Sequence, residues 1–258
     1  MATYAGAGKK LQSERAVRVL RSRILSGEFG PDTHISETAA AEMMGISRTP
    51  TREALAQLVD EGLLDRTSSG RCTVRSFSAD DVIDAIELRG VLEGTIVRLA
   101  AERGPSRDDF DRCKELADLI DIALGDAEPE IDFERYADLN AEFHRTLIGL
   151  SGSVTLRREA ERAYRMPLAS PSAFLQSQEH LVPVRRSLYV AQAQHRALLD
   201  AIAAREGARA EMLAREHARL ARQNLDALMQ SEDRHVHDIP GLSMLAGTPQ
   251  VNTKGRTQ

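Results

Sequence analysis

Seven histidines occur in this 258-residue chain, and three of them fall where helices can aim them together. Asn140 and His144 are four residues apart, about one helical turn, so their side chains share a face. His195 and His217 lie in two later helical stretches, in the strings Q-H-R-A-L-L and R-E-H-A-R-L. Three imidazoles with one amide oxygen suit Zn, Ni, Fe, Mn or Co, and not Ca or Mg. Spacing alone leaves the point open, because a lone helical histidine is more often packed in a core or left on the surface. Arg89 and Glu93 form another pair. They line up on one helix with apolar Val82, Ile86 and Ala100, and a charge on an inward face needs a partner or a ligand. An ion pair between the two with no ligand accounts for them equally well. Arg165 is a further candidate for an anion contact.

A second constellation is Ser47, Arg48, Thr49 and Arg52. Arg48, Thr49 and Arg52 share one helical face at spacings of three and four. An α-helix fits the DNA major groove and reaches base edges with side chains near its N-terminus. Arginine matches guanine O6 and N7, while hydroxyls and the helix N-terminus suit phosphate. The plain alternative is an exposed helix carrying ordinary charges. The surrounding punctuation argues against it.

Ser36 is a good N-cap for a helix Glu37 to Met44, Gly45 ends it, and Ser47 caps the next. Pro50 sits in the first turn, where a missing N–H costs little, and Leu55 and Leu58 turn inward. A helix before them carries apolar Leu11, Ala16, Val17, Leu20, Ile24 and Leu25, and Gly30-Pro31 marks a turn. After Gly62 the texture changes to that of a short β-hairpin, with its tip at Ser68-Ser69-Gly70-Arg71. Gly70 and Arg71 there can follow the DNA backbone or enter the minor groove. Cap, turn and hairpin agree with one another, which favours a winged helix-turn-helix.

From Ser78 the pattern is helical: one long helix to about Arg103, stopped by Gly104-Pro105, then helices near 106–124, 131–150, 153–166, 183–204 and 207–230. Met166 to Pro183 is the least regular stretch. The division is residues 1–10, disordered; 11–77, the winged helix-turn-helix; 78–230, an all-helical body; and 231–258, a flexible tail. The fold class is mainly α.

Composition agrees. Trp is absent and aromatics are 4%, so the core rests on Leu, Ile, Val, Ala and Met. No apolar run approaches the roughly 20 residues that span a bilayer. The start, M-A-T-Y-A-G-A-G-K-K, lacks the apolar stretch of a secretory signal. Cys72 and Cys113 are the only cysteines, which reads as free thiols in a reducing cytoplasm. The net charge of -5 disfavours nucleic acid as a partner, but its distribution does not. Residues 1–77 carry 11 Lys+Arg against 9 Asp+Glu, and the remainder 23 against 30. A small basic head on an acidic body fits a DNA reader.

The N-terminal region resembles the GntR family of bacterial transcription regulators. The matching residues are Ile24-Leu25-x-Gly27, Gly30-Pro31, Ile35-Ser36-Glu37, Gly45-Ile46-Ser47-Arg48-Thr49-Pro50-x-Arg52-Glu53-Ala54-Leu55 and Glu61-Gly62-Leu63. Thr51 departs from the usual apolar residue. The later strings I-E-L-R-x-x-L-E-G, E-F-H-R-x-L-x-x-x-S-G-S, H-R-A-L-L and E-H resemble the FCD ligand-binding domain, which defines the FadR subfamily. The resemblance implies a divalent transition metal on Asn140, His144, His195 and His217, with Asn140 where Asp is commoner. It also implies a small-molecule effector; an organic acid can complete the metal's shell, and Arg89, Glu93 and Arg165, singled out above from their own positions, are its candidate contacts. A homodimer on a palindromic double-stranded operator follows, cytoplasmic and acting as a repressor, with no membrane partner. The rival readings are a metal-dependent hydrolase with an appended DNA-binding head, and a helical partner protein with a vestigial site.

Overall fold

The computed structural model describes residues 2–67, 70–125, 131–166, 169–171, 182–230 and 242–245, without the side chains of 2–10, 182–184 and Ser243. Two compact units emerge. One takes the chain up to Ala79 together with C-terminal residues from His237, and the other is Asp80–Val236.

In the first unit α1 (Ala2–Leu25) precedes β1 (His34–Ile35), α2 (Glu37–Met44), α3 (Arg48–Asp60), β2 (Leu64–Arg66) and β3 (Cys72–Val74). Ser36 caps α2 by accepting a hydrogen bond from the Ala39 amide at 3.1 Å. Gly45 then ends α2 in the left-handed region, φ 64°, a conformation glycine adopts without a Cβ penalty. Ala16, Val17, Leu20 and Ile24 of α1 pack with Ala54, Leu55 and Leu58 of α3 in a fully buried core. The three strands form one antiparallel sheet in the order β1-β3-β2. β1 is an addition to the expected hairpin. At two residues it is too short to show an alternating pattern.

Both chain ends differ from expectation. Helix α1 begins at Ala2 where disorder was expected for 1–10. Extending an existing helix costs far less than nucleating one. At the other end Leu242–Met244 form a 3-10 turn, and Leu242, Met244 and Leu245 are buried. The Phe77 amide donates to the Met244 carbonyl at 2.8 Å, and Phe77 bridges Leu245 in parallel. Within a tail expected to be flexible, these residues therefore belong to the first unit's core, because three buried apolar side chains outweigh the polar stretch around them. The hairpin tip Ser68-Ser69 lies outside the described residues.

The second unit is all helical: α4 (Ala79–Arg103), α5 (Arg107–Leu124), α6 (Phe133–Leu147), α7 (Val154–Tyr164), α8 (Val182–Ala203) and α9 (Gly207–Met229). Helix α5 packs on α6 and on α8, and α8 packs on α9. Val97, Leu116, Ile120, Phe143, Leu147, Leu198 and Ile202 lie in one buried cluster. Gly90 and Gly94 let α9 approach α4 closely: a Cβ on Gly90 would stand 2.9 Å from the Ala218 Cβ. Both cysteines are free and buried, and burial raises both thiols, Cys113 to about 12. No helix among the described residues is long and apolar enough to cross a membrane.

Candidate functional site

Helix α3 presents Ser47, Arg48, Thr49 and Arg52 to solvent at its N-terminal end while Pro50, Thr51, Ala54 and Leu55 face the core. Thr51 is buried where an apolar side chain is usual, and it satisfies its hydroxyl by donating to the Ser47 carbonyl at 3.0 Å. Ser47 stands at the N-cap position but its side chain makes no cap hydrogen bond, so the capping role expected for it falls away. Arg52 donates through Nε and Nη2 to the two carboxylate oxygens of Glu37, at 2.8 and 3.0 Å. Arg48 Nη2 lies 3.5 Å from the same carboxylate. The Arg52 hydrogen bonds hold the Glu37 carboxyl below its usual range. Gly70 and Arg71 are exposed on the hairpin, where Gly70 has φ 81° and the Arg71 amide and carbonyl both bond Thr67.

The second unit brings His144 of α6, His195 of α8 and His217 of α9 together, all buried. His195 Nε2 and His144 Nε2 each stand 3.2 Å from His217 Nε2. The opposite nitrogens all meet oxygen. His195 Nδ1 faces Gln192 Oε1 at 3.1 Å, His217 Nδ1 faces Gln194 Oε1 at 3.1 Å, and His144 Nδ1 lies 3.4 Å from Glu93 Oε1. The Gln192 amide nitrogen is committed to the Ala117 carbonyl at 2.8 Å and Asp121 Oδ1 at 2.6 Å, so its oxygen must be what His195 meets. His195 therefore carries its proton on Nδ1 and directs an Nε2 lone pair inward.

With the protons of His217 and His144 likewise on the Nδ1 side that faces oxygen, the Nε2 lone pairs face one another, and a shared cation removes the repulsion. Metal–nitrogen bonds of about 2.0–2.1 Å set neighbouring ligand nitrogens about 3.0 Å apart at right angles and about 3.4 Å apart in a tetrahedron. The two 3.2 Å edges fall between these, and all three ligand atoms lie within 4.8 Å of one another. Burial holds His195 and His217 well below the usual imidazole range, so both are neutral and available as ligands. Phe143 packs on the His195 ring, with centroids 4.3 Å apart.

A cavity of about 40 Å³, lined by Arg89, Tyr136, Asn140, Pro171 and His217 among others, opens beside the triad. That is room for a few water-sized groups. Asn140 is buried and donates its Nδ2 to the Pro171 carbonyl at 3.3 Å, so Oδ1 is its atom with ligand character. Arg89 is fully buried and donates to the Ala169 and Ala218 carbonyls at 3.0 and 3.4 Å. Its Nε has no hydrogen-bond partner, and neither have Glu93 Oε2 and His144 Nδ1.

Comparison with known proteins agrees with both units. Residues 12–74 match the gntR family of bacterial regulatory proteins, and residues 84–220 match the FCD domain. The chain belongs to the GntR family. It is a transcriptional regulator with a DNA-binding helix-turn-helix and an FCD domain, the architecture of the FadR subfamily. It is 38% identical over 128 residues to the Nta operon transcriptional regulator of Aminobacter aminovorans, spanning 49% of this chain and 58% of that one. It is 28% identical over 200 residues to the transcriptional repressor GlaR of Escherichia coli, covering 78% and 89%. The fold is similar to that of E. coli McbR/YncC, with TM-score 0.60 at 21% identity over 86% of this chain and 99% of that one. The family and these relatives are regulators, so the hydrolase alternative has no support.

Members of the GntR family bind DNA and small-molecule effectors, typically as dimers, and some FCD domains bind metals. Within this GntR chain, the three histidines assigned to a metal converge, and Asn140 lines the same cavity. Arg89 reaches that cavity, while Glu93 and Arg165 do not. Arg165 is exposed at the C-terminal cap of α7, because the helix ends there and turns it to solvent. Glu93 is fully buried behind His144 and accepts a 2.6 Å hydrogen bond from the Tyr164 hydroxyl. Neither is placed to touch an effector in the cavity. Sequence reasoning missed Glu37, Tyr164, Gln192 and Gln194. Gln192 lies one turn before His195 on α8, a spacing that could have flagged it.

Proposed function

We propose that this regulator is a cytoplasmic, homodimeric repressor whose FCD domain holds a divalent transition metal on Asn140, His144, His195 and His217. Its effector is a small organic acid that completes the metal's coordination, with Arg89 as the cationic wall of the cavity. The observation that carries the reading is the convergence of three buried imidazole nitrogens on one point beside that cavity. With neutral histidines the Arg89 and Glu93 charges cancel, so a divalent ion leaves a surplus of positive charge that favours a carboxylate. When bound, the metal supplies Lewis acidity and open coordination positions. The protein supplies the ligands, a dry wall and an anion partner.

In the N-terminal domain, α3 enters the major groove of a palindromic double-stranded operator. Arg48 and Arg52 read base edges, the Ser47 and Thr49 hydroxyls bind phosphate, and Gly70 and Arg71 of the wing follow the backbone. Acid binding changes operator affinity only if the acid binds the DNA-competent and incompetent states unequally. Elemental analysis of the purified protein beside His144→Ala tests the site: near one metal per chain, lost in the variant. Operators selected from a randomised duplex pool then test the response. Small carboxylates that bind the FCD domain should weaken operator binding, and unchanged operator affinity would sink the effector reading.

A further inference from the structure

We propose that Glu93, held in place by Tyr164, is the positioning residue of the metal centre: it orients His144 from behind instead of contacting an effector. The inference rests on the metal reading above. Glu93 of α4, His144 of α6 and Tyr164 of α7 meet inside the domain, although they are far apart in sequence. The Tyr164 hydroxyl donates to Glu93 Oε1 at 2.6 Å, and that same oxygen lies 3.4 Å from His144 Nδ1. An imidazole's two nitrogens point to different sides of the ring. A carboxylate at Nδ1 therefore stands behind the ligand while Nε2 faces His217 at 3.2 Å.

Arg89 is the obvious rival partner for this carboxylate, but its Nε is 3.9 Å from Glu93 Oε1, and its terminal nitrogens are given to the Ala169 and Ala218 carbonyls. Tyr164 makes the only short hydrogen bond to Glu93 recorded among the described residues. Tyr164 itself packs against the buried cluster of Ile96, Ile148 and Ala160, so the position of the carboxylate is fixed by packing on α7. Each ligand histidine thus faces an oxygen on its Nδ1 side, and His144 is alone in facing a charged one, at 3.4 Å and without a formed hydrogen bond. Glutamines serve His195 and His217. A metal drawing electrons from Nε2 makes the Nδ1–H a stronger donor, which tightens its bond to a carboxylate behind it and raises ligand basicity in return.

The test uses the full-length protein, Co(II) as the probe, and the variants Glu93→Gln, Tyr164→Phe and His144→Ala. Competition with a chelator should show wild type binding one Co(II), Glu93→Gln binding about 10–100-fold more weakly, and Tyr164→Phe falling between them. In the Co(II) proteins, NMR should show one hyperfine-shifted exchangeable proton for each Nε2-bound histidine. The one belonging to His144 should shift and exchange faster in Glu93→Gln, a change that loss of packing alone would not confine to one ring. If Glu93→Gln does not fold, Tyr164→Phe carries the same comparison. Wild-type Co(II) affinity and unchanged resonances in both variants overturn the inference while leaving the site intact. A wild type that takes no Co(II), or a His144→Ala variant that keeps full affinity, overturns the metal reading and this inference with it.

Discussion

Arg52 in the N-terminal domain and Arg89 in the FCD domain each face a glutamate, in opposite surroundings. Arg52 is 59% exposed and pairs with Glu37 through two short hydrogen bonds. Arg89 is 2% exposed, and its Nε is 3.9 Å from Glu93. The well-formed pair is the cheap one. In water an exposed pair contributes little, so Arg52 can trade Glu37 for a guanine edge at small cost. The poorly formed pair is the costly one to disturb, because a charge left alone in a core has no solvent to fall back on. Exchangeable contacts lie on the surface helix proposed to meet DNA, and fixed ones lie behind the triad.

Breaking both pairs tests that contrast, and the largest effect belongs to Arg89. Arg89→Ala leaves Glu93 buried without its nearest permanent cation and should destabilise the FCD domain by about 3–5 kcal/mol, read by urea unfolding of the full-length protein. A loss below about 1 kcal/mol would mean that water or a rearranged partner reaches Glu93. Acid should act on the same domain. His195 and His217 have folded-state pKa values pushed well below the ordinary one by burial. The fold therefore prefers their neutral forms. Their contribution is complete above about pH 6.5 and is lost as the pH falls from there toward the folded-state values. Unfolding of the metal-free protein at stepped pH should show this loss, and His195→Leu should flatten it. An equally steep acid loss in His195→Leu would place the sensitivity elsewhere.

Arg52→Ala comes next. It should leave stability nearly unchanged, because the pair is exposed, yet cost about 1–3 kcal/mol of specific DNA affinity. Titration against a selected operator and a scrambled duplex separates the two. If operator and scrambled DNA lose affinity equally, Arg52 serves phosphates and not bases.

The same contrast decides what the sequence made legible. In the N-terminal domain the elements are punctuated by residues whose effect is local: Ser36 caps α2, Gly45 takes the left-handed turn, and Pro50 sits in the first turn of α3. Local rules place Arg48, Thr49 and Arg52 on one exposed helical face. They did not place β1, whose two residues are defined by pairing with β3, nor the burial of Leu242 and Leu245, the latter bridged to Phe77 far earlier in the chain. In the FCD domain the helices follow from apolar periodicity, but the site does not. His144, His195 and His217 sit on three helices, and only packing decides whether such residues meet. Resemblance to a family supplied what spacing left open. Neither spacing nor that resemblance separated Arg89, which reaches the cavity, from Glu93 four residues on, which points at Tyr164 and His144.

The smallest effect makes the sharpest control on the N-terminal domain. The Ser36 hydroxyl accepts from the Ala39 amide at 3.1 Å, and Ser36 adjoins Glu37, the anchor of both arginines. Ser36→Ala removes one cap and should lower the domain's stability by about 1 kcal/mol. Glu37 stays where it is, because α2 is also held by buried Ala40 and Ala41 and by the left-handed stop at Gly45. Base preference in a duplex selection should therefore match wild type while the unfolding midpoint drops. Arg52→Ala should do the reverse. If Ser36→Ala altered base preference as well, Glu37 would owe its position to the cap, and the surface pair would be as tightly tied to its scaffold as the buried one.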